Sequence, residues 1–324
     1  MDDDRPAAAM RGAATRLLGA LTAEQRSLVA RPWPDDAHRR WLEYRPRPRP
    51  GGCLADFDRP ARKAVHRLLA TGLSAPAYAQ AVTIMALEEV LDRSEGWARD
   101  RHSGDYWVTV FGEPAAGGGP GGGSGAPWGW RVEGHHVSVS ATVRGDEVWG
   151  TPLFLGANPA SVAALGTPVV RPLGPEEDLA RALLDAMGPA GRRVAIVAAE
   201  APADIRSSVL PRAPAALEPA GVAGARLPVG ARALLGQLLA LYLDRLPAEL
   251  AAREAGRLDV GELHFAWEGP TGPGRRHYYR VQGPDLLIEY DNTAPDGSHA
   301  HTVLRRPGAD FGVDPLADHH AEAH

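Results

Sequence analysis

Cysteine is almost missing from this chain of 324 residues: Cys53 stands alone. One thiol excludes an intramolecular disulfide framework and any cysteine-based zinc or iron–sulfur cluster. Lysine is as scarce. Lys63 is the only one, against 34 arginines, which together with abundant Ala, Gly and Pro reads as genomic composition bias. A P-loop and a Schiff-base enzyme are thereby excluded unless Lys63 serves. Long apolar runs are lacking as well. The richest, over 231–246, is broken by Arg232, Gln237, Asp244 and Arg245 and is too short and too polar to span a bilayer. The chain opens on Asp2, Asp3 and Asp4, where a secretory signal has a basic start and an apolar stretch. These absences predict a cytoplasmic protein with no membrane partner. A net charge of −5 gives no global bias toward nucleic acid, and no zinc finger or stacking-aromatic motif appears.

Familiar catalytic templates are missing too. There is no Gly-x-Ser-x-Gly elbow and no His-Glu-x-x-His helix. Asp310-Phe311-Gly312 resembles a kinase triplet, but the glycine loop, strand lysine and catalytic loop that must accompany it are absent.

What is present begins with helices. Thr22-Ala23-Glu24-Gln25 has capping-box spacing. A Pro- and Arg-rich run over 31–52 breaks the helical pattern and predicts an extended segment wrapping the surface. Helical spacing returns over 59–69. Ser74 then caps a helix with Pro76 in its first turn and Ala81, Ile84, Met85, Glu88 and Leu91 on one stripe. From Asp105 the pattern alternates. Strands are predicted over 105–111, over 130–143, and over 146–155 with Gly145 in the turn. A short buried strand is predicted over 193–199, and four more over 262–267, 277–282, 286–291 and 299–305. Helices are predicted over 176–187 and along Leu234, Leu235, Leu238, Leu239, Tyr242 and Leu246. The glycine-rich stretch 115–126 predicts a flexible loop, and Pro127-Trp128 after it excludes a phosphate-binding turn. The expected class is α+β, a mostly antiparallel sheet from the middle and C-terminal third packed by N-terminal and central helices. The expected organisation is an N-terminal helical extension over 1–30 and one domain over 31–324.

Histidines carry the chemical lead. Seven of the twelve fall in three clusters: His135 with His136, His299 with His301, and His319 with His320 and His324. On a strand, His299 and His301 point to one face, which suits two ligands of one ion. Adjacent His135 and His136 would point to opposite faces, so only one of them joins. His135 is favoured, because its face is otherwise apolar and holds Glu133, a costly arrangement without partners. Glu289 and Asp291 share a face of their strand and could ligate an ion or orient a ligating imidazole. His277 and Arg280 could supply a proton donor and an anion anchor. The donors suit zinc, iron, manganese or copper. The plainer alternatives are histidines that only hydrogen-bond, Glu289 and Asp291 in salt bridges to Arg280 or Arg305, and a frayed histidine tail.

Several blocks resemble the family catalogued as domain of unknown function 3500. They are Trp128-Gly129-Trp130-Arg131-Val132-Glu133-Gly134-His135-His136; Thr151-Pro152-Leu153-Phe154-Leu155-Gly156-Ala157-Asn158-Pro159; His277-Tyr278-Tyr279-Arg280-Val281-Gln282-Gly283-Pro284; Ile288-Glu289-Tyr290-Asp291-Asn292-Thr293; His299-x-His301; and Asp310-Phe311-Gly312. Ser298 stands where the family pattern has Asn, and Leu304 where it has Trp. The pattern includes His319 more clearly than His320, and the glycine-rich stretch reads as a local insertion. The resemblance implies one continuous domain and a histidine site; it implies no activity. The functional expectation is a metal-dependent enzyme acting on a small polar or carboxylate-bearing molecule, with hydrolysis favoured over oxidation. The alternatives are a metal-free small-molecule binding protein and an interaction module with structural histidines.

Overall fold

The computed structural model describes residues 5–114, 125–292 and 294–312. The glycine-rich stretch, apart from its last two residues, and His319, His320 and His324 lie outside the described residues.

Helices α1 (Pro6–Ala20), α2 (Ala23–Val29), α3 (Asp36–Arg39), α4 (Arg59–Thr71) and α5 (Ala75–Ser94) fill the first hundred residues. The Thr22 hydroxyl accepts from the Gln25 amide at 3.2 Å, and the Gln25 side chain accepts from the Thr22 amide at 3.1 Å, the reciprocal pair its spacing predicts. Ser74 accepts from the Ala77 amide to open α5. Later helices are α6 (Gly174–Ala186), α7 (Gly188–Ala195), α8 (Val229–Leu243) and α9 (Ala248–Ala255).

Among the described residues thirteen strands form one mixed, mostly antiparallel sheet, so the chain is α+β. In chain order they start with β1 (Ala30–Arg31), β2 (Gly52–Cys53), β3 (Tyr106–Phe111), β4 (Trp128–Gly134), β5 (Val137–Arg144), β6 (Glu147–Trp149) and β7 (Leu153–Ala157). A separate ribbon, β8 (Val162–Ala164) with β9 (Thr167–Val170), follows. The sheet resumes with β10 (Ile196–Ala198), β11 (Val222–Ala223), β12 (His264–Glu268), β13 (Tyr278–Gly283), β14 (Leu286–Asn292) and β15 (Ala300–Arg305). Its order is β1-β3-β4-β5-β7-β15-β14-β13-β12-β10, with parallel pairs only at the two ends. The β7–β15 pair therefore joins the middle of the chain to its last third.

Three expectations are corrected. The strand over 146–155 is two, β6 and β7, which pair with opposite ends of β5 and are separated by 150–152. The segment 130–143 is two strands, because the chain turns back at His135 and His136, and Gly134 pairs with Val137. The buried strand over 193–199 is the end of α7 followed by the short, half-buried edge strand β10.

Register sorts the side chains into two faces. Val132, Val139, Leu155, Ile288, Tyr290, Tyr279 and Trp267 point toward the helices and belong to the main apolar cluster with α1, α4, α5, α6, α8 and α9. The opposite face carries Arg131, Glu133, Ser138, Glu289, Asp291, His301, Arg280 and Arg305, all buried. The Pro- and Arg-rich segment lies against this polar face. Its Leu42 and Tyr44 join Phe154, Ile205, Val303 and Phe311 in a second small cluster, with the Tyr44 and Phe154 rings stacked at 4.1 Å.

Candidate metal centre

The β4–β5 hairpin turns through only two residues, and both are histidines. His136 sits at φ 63, a left-handed conformation that is costly for a residue with a side chain and is held by its surroundings. The His136 amide donates to the Tyr44 carbonyl at 3.0 Å, and its carbonyl accepts from the Gly156 amide at 2.7 Å. The Tyr106 hydroxyl donates to the His135 carbonyl at 2.8 Å. Gly134 is required at the corner, since a Cβ there would stand 2.4 Å from the Tyr106 ring. The tight turn undoes the opposite-face argument: the two imidazoles stack 3.7 Å apart on the same side.

His299, just before β15, and His301, within it, converge on His136. The ring centroids of His136, His299 and His301 lie 4.6–5.3 Å from one another. The His136 and His299 Nε2 atoms are 2.7 Å apart, one ring donating to the other. One nitrogen from each of the three rings falls within 4.8 Å of the others, as a common ion requires. The strand beneath makes room: a Cβ on Gly156 would meet His136 Cδ2 at 2.8 Å and His301 Cδ2 at 3.1 Å.

Register places Gly156, His301, Asp291, Tyr278 and Glu268 in one row across five strands. His301 Nδ1 accordingly faces Asp291 Oδ1 at 3.3 Å, and Asp204 Oδ1 reaches it at 3.2 Å. The Tyr44 hydroxyl donates to the other Asp204 oxygen at 2.8 Å. Burial alone would depress the His301 imidazole, but the Asp291 and Asp204 carboxylates outweigh it and push its pKa up to about 9. Burial raises Asp291 to about 6, opposed by His301. His299 moves the other way, to about 3, through burial and then the neighbouring His301 and His135. Burial, and then the three surrounding imidazoles, likewise hold His136 well below the ordinary histidine range.

His135 turns to α5. Its Nδ1 lies 2.6 Å from Glu88 Oε1, and Arg101 Nη1 approaches it at 3.4 Å. Glu88, His135 and His136 make a second buried group of three potential donors, and Asp204, Asp291 and His301 a third. A cleft of about 470 Å³ opens beside His135, with Arg47, Arg99, Arg101, Glu88 and Trp107 among its walls.

The other residues singled out by sequence are engaged elsewhere. Glu133 accepts from Arg131 Nε at 2.8 Å and faces Arg49 at 3.9 Å; burial still raises its pKa against those two cations. Glu289 accepts from the Arg206 and Ser207 amides and from the Tyr278 hydroxyl at 2.6–3.1 Å, fastening the loop that carries Asp204; burial raises its pKa too. Arg280 donates to Glu268 at 2.8 Å and to the Pro219 carbonyl. His277 lies on the helix-facing side, stacked on Trp267 at 4.7 Å. Of the nine residues, the fold gathers His135, His136, His299, His301 and Asp291. Sequence reasoning missed Glu88, although a carboxylate on an apolar helical stripe was a usable signal. Asp204, Tyr44 and Gly156 gave none.

Residues 3–313 match the family described as protein of unknown function, DUF3500. The chain belongs to this family. No curated protein and no solved structure matches it. Buried histidine and acidic groups lie within metal-binding distance of one another, and among the described residues no helix is long and apolar enough to cross a membrane.

Proposed function

We propose that the protein is a metal-dependent enzyme, hydrolytic before oxidative, with His136, His299 and His301 holding one divalent ion. The observation that carries this reading is the pairing of convergence with support. Three imidazoles from two remote segments meet, and His301 Nδ1 is backed by two carboxylates at 3.2 and 3.3 Å, the support that metal-bound imidazoles ordinarily have. The donor set fits an ion: neither the Asp291 oxygens nor His301 Nδ1 makes a hydrogen bond among the described residues, so the carboxylate acts on the imidazole through its charge at 3.3 Å. When bound, the ion would supply an activated water or an open coordination position. The chain's own residues do the rest. The Asp291 and Asp204 carboxylates lie beside His301 Nδ1 and favour a proton there, the Tyr44 hydroxyl holds Asp204, and Gly156 leaves room for the rings. A small polar or carboxylate-bearing substrate would enter by the cleft beside His135, where Arg47, Arg99 and Arg101 suit an anionic group. Glu133, Glu289, His277 and Arg280 shape the surroundings and do not act on the substrate.

The test is metal content per chain of untagged protein. One equivalent that disappears on joint His299→Ala and His301→Ala substitution, with the circular dichroism spectrum kept, is the expected result. Asp291→Asn should weaken binding by about 10–100-fold. A metal-free protein whose melting does not move with zinc, manganese or iron overturns the proposal.

A second reading draws on the 2.7 Å contact of His136 Nε2 with His299 Nε2, which gives one nitrogen of each ring a partner with no ion. On that reading the cleft belongs to a metal-free small-molecule binding protein, and a melting shift with an organic ligand in chelator would favour it.

A further inference from the structure

We propose that a second divalent-cation position, formed by Glu88, His135 and His136, adjoins the first and shares His136 with it. The proposal rests on the metal reading above. Its ligand atoms lie within 4.8 Å of one another, and all three residues are buried.

The two nitrogens of His136 are in different situations. Nε2 is turned to His299. Nδ1 makes no hydrogen bond among the described residues, although His136 is only 2% exposed. His301 shows how this fold supports a ring that lies against one ion: with carboxylates beside the far nitrogen. Among the described residues no carboxylate hydrogen-bonds the His136 ring, and Glu88 is the one within 4.8 Å in the same group. His136 has the His135 ring stacked at 3.7 Å, with Nδ1 of that ring 2.6 Å from Glu88. A cation held by Glu88 and His135 would satisfy the far side of His136. The neutral imidazole carries one ring proton, so use of both nitrogens sends that proton to solvent.

A cation already stands near this position. Arg101 Nη1 lies 3.4 Å from His135 Nδ1 and 3.7 Å from Glu88 Oε2, neutralising a carboxylate that is 5% exposed. Arg101 is also tied through Nε to Glu95 at 2.8 Å, so it keeps a partner when an ion takes its place. The cleft gives the ion a route, since His135, Glu88 and Arg101 all line it. An imidazole–carboxylate set with a neighbouring guanidinium suits a divalent ion that can displace a monovalent group.

The experiment counts zinc bound to the untagged full-length chain, with His319, His320 and His324 changed to alanine throughout, after chelator stripping and titration with zinc alone. Two equivalents are expected. Glu88→Gln should leave one. Arg101→Gln should keep two and tighten the weaker by about 10-fold, an opposite effect that misfolding would not mimic and that decides the matter if Glu88→Gln does not fold. One equivalent, lost with His299→Ala and His301→Ala but indifferent to Glu88→Gln, overturns the second position and leaves the first standing. Two equivalents that both survive Glu88→Gln overturn it too. No zinc at all removes the metal reading and this inference with it.

Discussion

The two faces of the central sheet arise from the same alternating strands and are buried to the same degree, yet they are held by different physics. On the helix side, Val132, Leu155, Ile288 and Tyr279 pack into one apolar cluster, where stability grows with the area removed from water. On the other side, Arg280 meets Glu268, Arg305 meets Asp310 and Arg131 meets Glu133. Buried ion pairs add little net stability over apolar residues of the same size, but losing one partner is expensive. They also demand a cover that supplies hydrogen bonds, which is what the irregular segments around Tyr44 and Ser207 provide. The apolar face makes the sheet stable; the polar face makes it selective about what lies on it, and the candidate centre sits there.

The largest expected effect separates these two kinds of burial. Arg305 Nε donates to Asp310 at 2.7 Å with both side chains buried. Arg305→Met strands the Asp310 charge and should cost about 3–5 kcal/mol in urea denaturation. Adding Asp310→Asn, which can still accept from the Arg306 amide at 2.9 Å, should recover most of that loss. Ile288→Ala on the opposite face should cost about 2–5 kcal/mol, with no second substitution on that face able to restore it. If the Arg305 variant costs under about 1 kcal/mol, the distinction between the faces collapses.

A pH series sharpens the comparison, because the raised imidazole, His301, is on the polar side, while His277 on the apolar side is lowered, as are His299 and His136 at the centre. His277, on the apolar side, is lowered to about 4 by burial. Its contribution is complete above the unfolded value near 6.5 and is lost as pH falls toward 4. His301, on the polar side, is raised to about 9 by Asp291 and Asp204 against the effect of burial. Its contribution is complete below about 6.5 and is lost as pH rises through 9. Each amounts to roughly 3 kcal/mol at full extent. In chelator, His277→Phe should make the acid limb of the stability profile shallower, a limb to which His299 and His136 also contribute, and His301→Gln should flatten the alkaline limb. Both variants flattening the same limb would sink the assignment.

That comparison also explains what could be read from the residues alone. The α+β class and the late strands were legible because alternation is strong on an apolar face. The caps at Thr22 and Ser74 were legible because capping is local chemistry. That Asp291 could orient a ligating imidazole was legible from its strand; that the imidazole is His301 came only with the β14–β15 register. The turn at His135 and His136 was hidden, because alternation continues through it and the residue at φ 63 is a histidine where a glycine would have signalled the corner. The parity argument that set His135 against His136 failed with it. Glu133 reads as a costly buried charge, and so it is, with Arg131 two residues away on the same strand as its partner. Glu289 reads as a possible ligand and Arg280 as an anion anchor; their partners Ser207 and Glu268 lie on irregular covering chain and on another strand, which no local pattern predicts. Asp204 belongs to such a segment.

The smallest expected effect on stability tests the centre most directly. Gly156 stands at the base of the three imidazoles on the polar face, and at this position an added methyl has nowhere to go. Its Cβ would meet His136 Cδ2 at 2.8 Å and His301 Cδ2, like the Ala300 carbonyl, at 3.1 Å. The backbone at Gly156 is paired in the sheet, so the rings must give way. Gly156→Ala should therefore cost only about 1–2 kcal/mol as local overpacking, while zinc affinity falls by about 10–100-fold because two ligands are displaced together. An affinity equal to that of the unaltered chain, measured on folded variant protein, would mean that these imidazoles do not hold an ion between them, whatever their distances suggest.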